Sequence, residues 1–194
     1  MTQGGTVRAR LMELADLARE VAELVAPELE ALSGEVVEVL EGGGRLFFCG
    51  NGGSAADAQH LAAEYVVRFR RERRALPALA LTTDTSVLTA GANDLGFEHV
   101  FSRQVEALGS GGDLLFLHST SGESENLILA AKTAADRGMR TVGFLAQGGG
   151  RLLSLVDRAL VVPTRSVPHA QEIHLALGHI LCELVEDRMK GVEE

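Results

Sequence analysis

The sequence predicts an α/β fold, a five-stranded parallel sheet between two layers of helices, with a helical extension at its N-terminus. Three observations lead there. After residue 44, five short apolar runs alternate with stretches of helical periodicity. Each run is bounded by Gly, Pro, Asp or Ser and is too short for a helix. Before Gly42-Gly43-Gly44 the texture differs, with apolar side chains at Leu11, Leu14, Leu17, Val21, Leu24 and Val25 in a helical stripe.

That stripe predicts helix over 6–41. Pro27 lacks an N–H and crowds the preceding turn, so a kink or split is expected there, with Ser33-Gly34 starting a second helix to Glu41. The triple glycine ends the extension. Arg45–Cys49 is the first strand, followed by helix over 54–70. Ala78–Leu81 is the second, followed by helices near 84–92 and 98–108. Leu114–Leu117 is the third, followed by helix over 124–137. Thr141–Leu145 is the fourth, followed by a short helical stretch at 150–155. Ala159–Val162 is the fifth, and a long helix over 170–189 closes the chain. Helices between successive strands are the crossovers that parallel pairing requires. No linker, low-complexity tract or repeat interrupts the alternation, so 1–44 reads as a helical extension and 45–194 as one domain. The apolar stripe of the extension needs a partner surface, which its own sheet or another subunit would supply equally well.

The chain has 194 residues, long enough for a core that needs no covalent staples. It is 46% hydrophobic and 23% charged, a globular balance. A net charge of −9 argues against direct nucleic-acid binding and against anionic membrane surfaces. Two cysteines, Cys49 and Cys182, form no disulfide framework and fit buried free thiols in a reducing cytoplasm. The first residues carry no apolar signal core, and no apolar stretch is long enough to span a bilayer, so neither a secretory leader nor a membrane span is expected.

Open parallel sheets bind ligands beyond the C-terminal ends of their strands. Two loops stand there. Gly50-Asn51-Gly52-Gly53-Ser54 follows the first strand, and Ser119-Thr120-Ser121-Gly122-Glu123-Ser124 follows the third. The first formally satisfies G-x-G-x-x-A through Gly50, Gly52 and Ala55. The ribose-binding acid of a dinucleotide site should follow about twenty residues on. Asp84 comes far later, after the second strand, so no nucleotide cofactor is expected. No G-x-x-x-x-G-K-[ST] is present either, which excludes a P-loop. Glycines that admit backbone N–H groups, helix N-termini behind them and neutral hydroxyls suit a phosphate monoester on a small polar molecule. Taken singly, each loop is equally well a turn with a capping serine. Two such loops in one sheet favour phosphosugar binding.

His60 and Glu64 stand four apart on the helix leaving the first loop, on one face. Gln171 and His179 lie eight apart on the last helix, about 12 Å along a straight axis. Their convergence needs long side chains or different subunits. A carboxylate and a histidine are the minimum for moving a proton between adjacent carbons of a sugar. The set His60, Glu64, Gln171 and His179 also reads as N/O metal ligands, with zinc the first choice. Each alone is as readily a solvated Glu or a structural His. Arg68–Arg74 holds five arginines in seven residues, a solvated helix end or a source of one anion-binding group, with Arg68 favoured. Asn93-Asp94, flanked by Gly91 and Gly96, is a turn or a hydroxyl-binding loop.

At these residues the sequence resembles a known family. CGNGGSAADAQHLAAE (Cys49–Glu64), ALTTDTS (80–86), the stretch Asn93–Phe97, FSRQVEALG (101–109), STSGES-N (119–126) and QEIH-----H (171–179) resemble the phosphoheptose isomerases of the sugar-isomerase (SIS) domain family. The likeness runs over essentially the whole chain. It implies a three-layer, doubly wound, flavodoxin-like sheet of five parallel strands carrying a phosphosugar site, in a homotetramer with sites between subunits. It implies conversion of sedoheptulose 7-phosphate to D-glycero-D-manno-heptose 7-phosphate. It maps the base onto Glu64 and the acid onto His179. It maps zinc ligands onto His60, Glu64, Gln171 and His179, and substrate contacts onto Asn51, Gly52, Gly53, Ser54, Glu64, Arg68, Asn93, Asp94, Ser119, Thr120, Ser121, Ser124 and Gln171. The chain departs from the family pattern at Glu123, where Asn is usual, at His118, at Gln147 with its neighbours and at His169. A carboxylate beside a phosphate loop costs affinity unless it points away. A related group, adapters that bind the bacterial replication initiator, shares CGNGGSAADAQH and ALTTDTS with much of the same polar set, and phosphosugar sensors share the fold. A protein-binding or sensing role therefore stands beside catalysis at this level.

Overall fold

In the computed structural model, residues 3–189 are described. Five strands, β1 (Leu46–Gly50), β2 (Ala78–Ala80), β3 (Leu114–Ser119), β4 (Arg140–Ala146) and β5 (Arg158–Val162), form one sheet. All pairs are parallel, in the order β2-β1-β3-β4-β5. The chain steps outward from β1 to β2, then crosses back to β3. The order therefore reverses between β1 and β3, and the crevice that a doubly wound sheet offers to ligands opens there, beyond Gly50 and Ser119.

The strands are apolar throughout because both faces are covered. On one face Phe48, Phe116 and Phe144 pack with the helices α1 (Gln3–Glu41), α2 (Gly53–Val66) and α6 (Val167–Met189). On the other, Phe47, Leu115, Leu117 and Leu145 pack with α4 (Ser102–Leu108) and α5 (Glu125–Asp136). The remaining helix, α3 (Thr85–Asp94), starts at Asp84, whose carboxylate accepts from Val87 N–H at 2.9 Å. None of the described helices is long and apolar enough to cross a membrane.

Four expectations need correction. Pro27 neither splits nor ends α1, which runs unbroken to Glu41. Leu17, Val21 and Val25 before the proline and Leu29, Leu32, Val36 and Val39 after it are buried in one cluster. Breaking the helix would turn one half of that stripe away. An interior proline costs about 3 kcal/mol, less than burying several Leu and Val side chains gains at roughly 1.5–3 kcal/mol each. Ser33 starts no second helix, because α1 continues through it, and its hydroxyl donates back to the Glu30 carbonyl instead of capping. The expected helix at 54–70 stops at Val66, since Glu186 draws the next backbone N–H groups out of helical pairing. The expected segment 98–108 divides into a 3-10 turn at Phe97–His99 and α4, whereas the short helical stretch expected at 150–155 is present as a 3-10 turn at Arg151–Ser154.

The second half of α1 lies on α6 and β5 of its own chain. Arg158 pairs with Glu28 and Glu35, and Arg140 pairs with Glu35. The first half behaves differently, with Val7 and Leu11 each 62% exposed.

Candidate active site

Two loops meet at the switch point. Asn51 and Asn126 exchange carboxamide hydrogen bonds of 2.9 Å in both directions, tying the loop after β1 to the first turn of α5. In the second loop the Ser119 hydroxyl accepts from Gly122 N–H at 3.0 Å, and the Ser121 hydroxyl accepts from Glu123 N–H at 3.2 Å. Ser124 caps α5 by position without a side-chain bond to the helix. Thr120, Ser121 and Ser124 are half-buried, and Ser54 is buried at the start of α2. Gly122 has φ +67°, and a Cβ on it would overlap the carbonyl oxygen of Gly149, so the loop is pressed against the chain after β4.

Glu123 turns into that same strand connection. Its carboxylate accepts from Arg151 N–H and from Arg151 Nε, both at 2.8 Å, while Arg151 Nη2 reaches Glu125 at 2.9 Å. The side-chain bond to Arg151 holds the Glu123 carboxyl below its usual range. The acid at this departure is neutralised and committed to the neighbouring loop. Gln147 sits in that connection with φ +53°, and its N–H donates to Thr164.

His60, Glu64 and His179 converge along the second half of α2, away from the loop at its start. His60 Nε2 lies 2.8 Å from His179 Nε2 and 3.3 Å from Glu64 Oε1. One ligand atom from each of the three lies within 4.8 Å of the others. The 3.6-residue period puts His60 above Glu64, and α6 packs alongside to bring in His179. Burial, with the neighbouring His60, lowers the pKa of His179 against the opposing pull of Glu64. His179 also stacks on Phe69, with centroids 5.3 Å apart and planes 22° apart.

The helices α2 and α6 run in the same direction. A Cβ on Gly53 would lie 2.6 Å from Gln171 Oε1, and one on Gly178 would lie 2.5 Å from Leu61 Cδ2. Gln171 thus covers the start of α2, about two helical turns, or roughly 12 Å, before His179. One chain brings three of the four expected ligands together and leaves Gln171 at Gly53. Arg68 is exposed and paired with Glu72 at 3.0 Å. Asn93 and Asp94 are exposed at the end of α3, where Asn93 Nδ2 donates to Asp94 Oδ1 at 2.7 Å.

Several polar environments went unforeseen in the sequence, although His118 stood out there as a departure and Arg73 lay in the arginine run. Glu186 and Arg73 form a buried ion pair at 3.0 Å. Its signal was an acid on the apolar stripe Cys182, Val185, Glu186 and Met189 of α6. Asp57 lies one turn before His60, and its buried Oδ2 has no hydrogen-bond partner among the described residues. Burial pushes its carboxyl up to about 6, against the pull of His60. His118, at the end of β3, is fully buried among Phe48 and Phe144 with neither ring nitrogen hydrogen-bonded among the described residues.

Comparison with known proteins agrees with this architecture. The SIS domain family matches residues 11–146. The chain is 54% identical over 171 residues to the phosphoheptose isomerase of Roseiflexus sp. (strain RS-1), covering 88% of this chain and 87% of that one. The structure of a phosphoheptose isomerase from Neisseria gonorrhoeae superposes with a TM-score of 0.90 at 39% identity, over 96% of this chain and 100% of that one. One from Francisella tularensis superposes with a TM-score of 0.93 at 34% identity, again over 96% and 100%.

Proposed function

This chain belongs to the SIS domain family, and we propose that it is an aldose–ketose isomerase converting sedoheptulose 7-phosphate to D-glycero-D-manno-heptose 7-phosphate. Full-length relatives named phosphoheptose isomerase support that reading. The observation that carries it is the joint presence of two hydroxyl- and glycine-lined loops at the switch point and an acid–base cluster on the helix leaving one of them.

Phosphate docks on the hydroxyls of Ser119, Thr120, Ser121 and Ser124 and on the N-terminus of α5. These are neutral donors and dipoles that suit an anion in an acidic protein. Asn51, Gly52, Gly53, Ser54, Arg68, Asn93, Asp94 and Gln171 serve the sugar and its phosphate. Glu64 removes a proton from C1 of the ketose. The C–H electron pair becomes the C1=C2 bond of an enediolate, and charge gathers on the C2 oxygen. His179 donates to that oxygen. Glu64 returns its proton to C2, and the C1 hydroxyl gives its proton back to His179 as the aldehyde forms, so that base and acid both end as they began. No electron leaves the substrate, so no redox partner is needed.

Two imidazole nitrogens and one carboxylate oxygen make a zinc-type donor set. The 3.3 Å separation of His60 Nε2 and Glu64 Oε1 matches the edge of roughly 3.3 Å expected between ligands about 2.0 Å from a tetrahedral ion, and the 2.8 Å separation of His60 Nε2 and His179 Nε2 would widen by about 0.5 Å to reach it. The residues therefore fit the metal, held by His60, Glu64 and His179 with Gln171 from a neighbouring subunit. Bound zinc would polarise the sugar carbonyl. The separation of Gln171 from His179 in one chain and the exposed apolar first half of α1 support a homotetramer with sites between subunits. In this reading 1–44 is the helical extension and 45–194 the phosphosugar domain. The protein works in the cytoplasm, consistent with its two free, buried thiols. Incubating the purified chain with sedoheptulose 7-phosphate tests the reaction. Heptose 7-phosphate should form, and Glu64→Gln should bind substrate but lose most turnover.

A further inference from the structure

We propose that Arg73, Glu186 and Phe69 form a positioning unit that fixes Glu64 and His179 for proton transfer. The inference rests on the isomerase reading above, in which these two residues are base and acid.

The segment after α2 has no regular structure, yet it is anchored at four donors. The Glu186 carboxylate accepts from the N–H groups of Phe69 at 2.9 Å, Arg70 at 3.0 Å and Arg71 at 3.1 Å, and from Arg73 Nε at 3.0 Å. The side chains of Arg73 and Glu186 are 8% and 2% exposed. Burial pushes the Glu186 carboxyl up, but the N–H groups of Phe69 and Arg70 and the Arg73 charge outweigh it and keep the carboxyl below its usual range.

A buried pair of this kind is poor value for stability, because an apolar pair of similar volume often does as well. Its geometry offers another reason. The last carbonyls of a helix lack intrahelical partners. Arg73 Nη2 donates to the Glu64 carbonyl at 2.7 Å and Nη1 to the Tyr65 carbonyl at 2.9 Å. One guanidinium therefore closes the final turn of α2 on the backbone of the base itself. The other arm acts on the acid. Glu186 pins Phe69 N–H, and the Phe69 ring lies nearly parallel to the His179 ring. Glu186 stands seven residues after His179 on α6, two turns along the same face. The acid is thus set by an aromatic plate anchored to its own helix. A planar fork is required, since a lysine ammonium could meet Glu186 but could not also serve both carbonyls.

The test uses the full chain with sedoheptulose 7-phosphate, comparing Arg73→Lys, Phe69→Leu and Phe69→Tyr. Misplacing a catalytic group by an ångström can cost 100-fold. Arg73→Lys and Phe69→Leu should therefore lower kcat by about 10- to 100-fold per folded chain while KM stays within about twofold. Phe69→Tyr keeps the ring and should restore kcat. A purely structural role would lower melting temperature and folded fraction, leaving kcat per folded chain unchanged, and that result overturns the proposal. If Arg73→Lys does not fold, Phe69→Leu decides, because it leaves the ion pair intact. No turnover in the unsubstituted chain would overturn the isomerase reading and this inference together. Normal turnover in both variants would overturn the inference alone.

Discussion

Replacing His118 by leucine should stabilise this protein by about 2 kcal/mol more at pH 5 than at pH 7. The His118 ring sits 4.8 Å from Phe144, 6.4 Å from Phe48 and 6.3 Å from His174 by centroid distance. Its nitrogens find no partner among the described residues, so a proton there gains a charge with nothing to solvate it. Burial, aided by repulsion from His174, pushes its pKa down to about 3. In the unfolded chain an imidazole titrates near 6.5. Between those values the unfolded state binds the proton and the native state does not, so stability falls as pH drops below about 6.5 and levels off only below about 3. At pH 5 the unfolded state gains RT ln(1 + 10^1.5), about 2 kcal/mol, while at pH 7 the gain is below about 0.2 kcal/mol. Leucine removes this titration and leaves every other group in place. Urea unfolding of both proteins at one protein concentration reads the effect. With a slope near 2 kcal/mol/M, the gap between the two midpoints should widen by about 1 M from pH 7 to pH 5. A gap that is unchanged between the two pH values, or narrower at pH 5, would refute the reasoning and place a charged or hydrogen-bonded imidazole in the core.

Two further outcomes are expected. Gly122→Ala puts a Cβ into the Gly149 carbonyl at a positive φ, so the hydroxyl loop must open. KM for the phosphosugar should rise by more than about tenfold, and an unchanged KM would remove this loop from phosphate binding. Equilibrium dialysis against zinc at neutral pH should retain one ion per chain. Retention should fall by about tenfold or more in His179→Ala, and also in the unsubstituted chain on acidification as the imidazoles take up protons. Undiminished retention in the variant would exclude His179 as a ligand.

The parts of the fold read from sequence are those with local causes. Strands β1, β3 and β4 announce themselves as short apolar runs between breakers, because a strand covered on both faces needs nothing else. The His60–Glu64 pair follows from helical period, and the two-turn gap between Gln171 and His179 follows from rise per residue. What stayed hidden has distant causes. Pro27 is carried through by a stripe whose partners lie on α6 and β5. Helix α2 ends early because of Glu186, more than 100 residues away in the chain. The Glu123 carboxylate is neutralised by Arg151, across two loops that adjoin only in the folded sheet. The buried imidazole of His118 became legible only when strand register set it among Phe48 and Phe144.

The most direct test is turnover of sedoheptulose 7-phosphate by the purified chain and by Glu64→Gln, with the product identified by NMR. Formation of D-glycero-D-manno-heptose 7-phosphate by the unsubstituted chain, and its loss in a Glu64→Gln protein that still binds substrate, is the expected result. Full turnover in Glu64→Gln, or none in a folded, substrate-binding wild type, would contradict it.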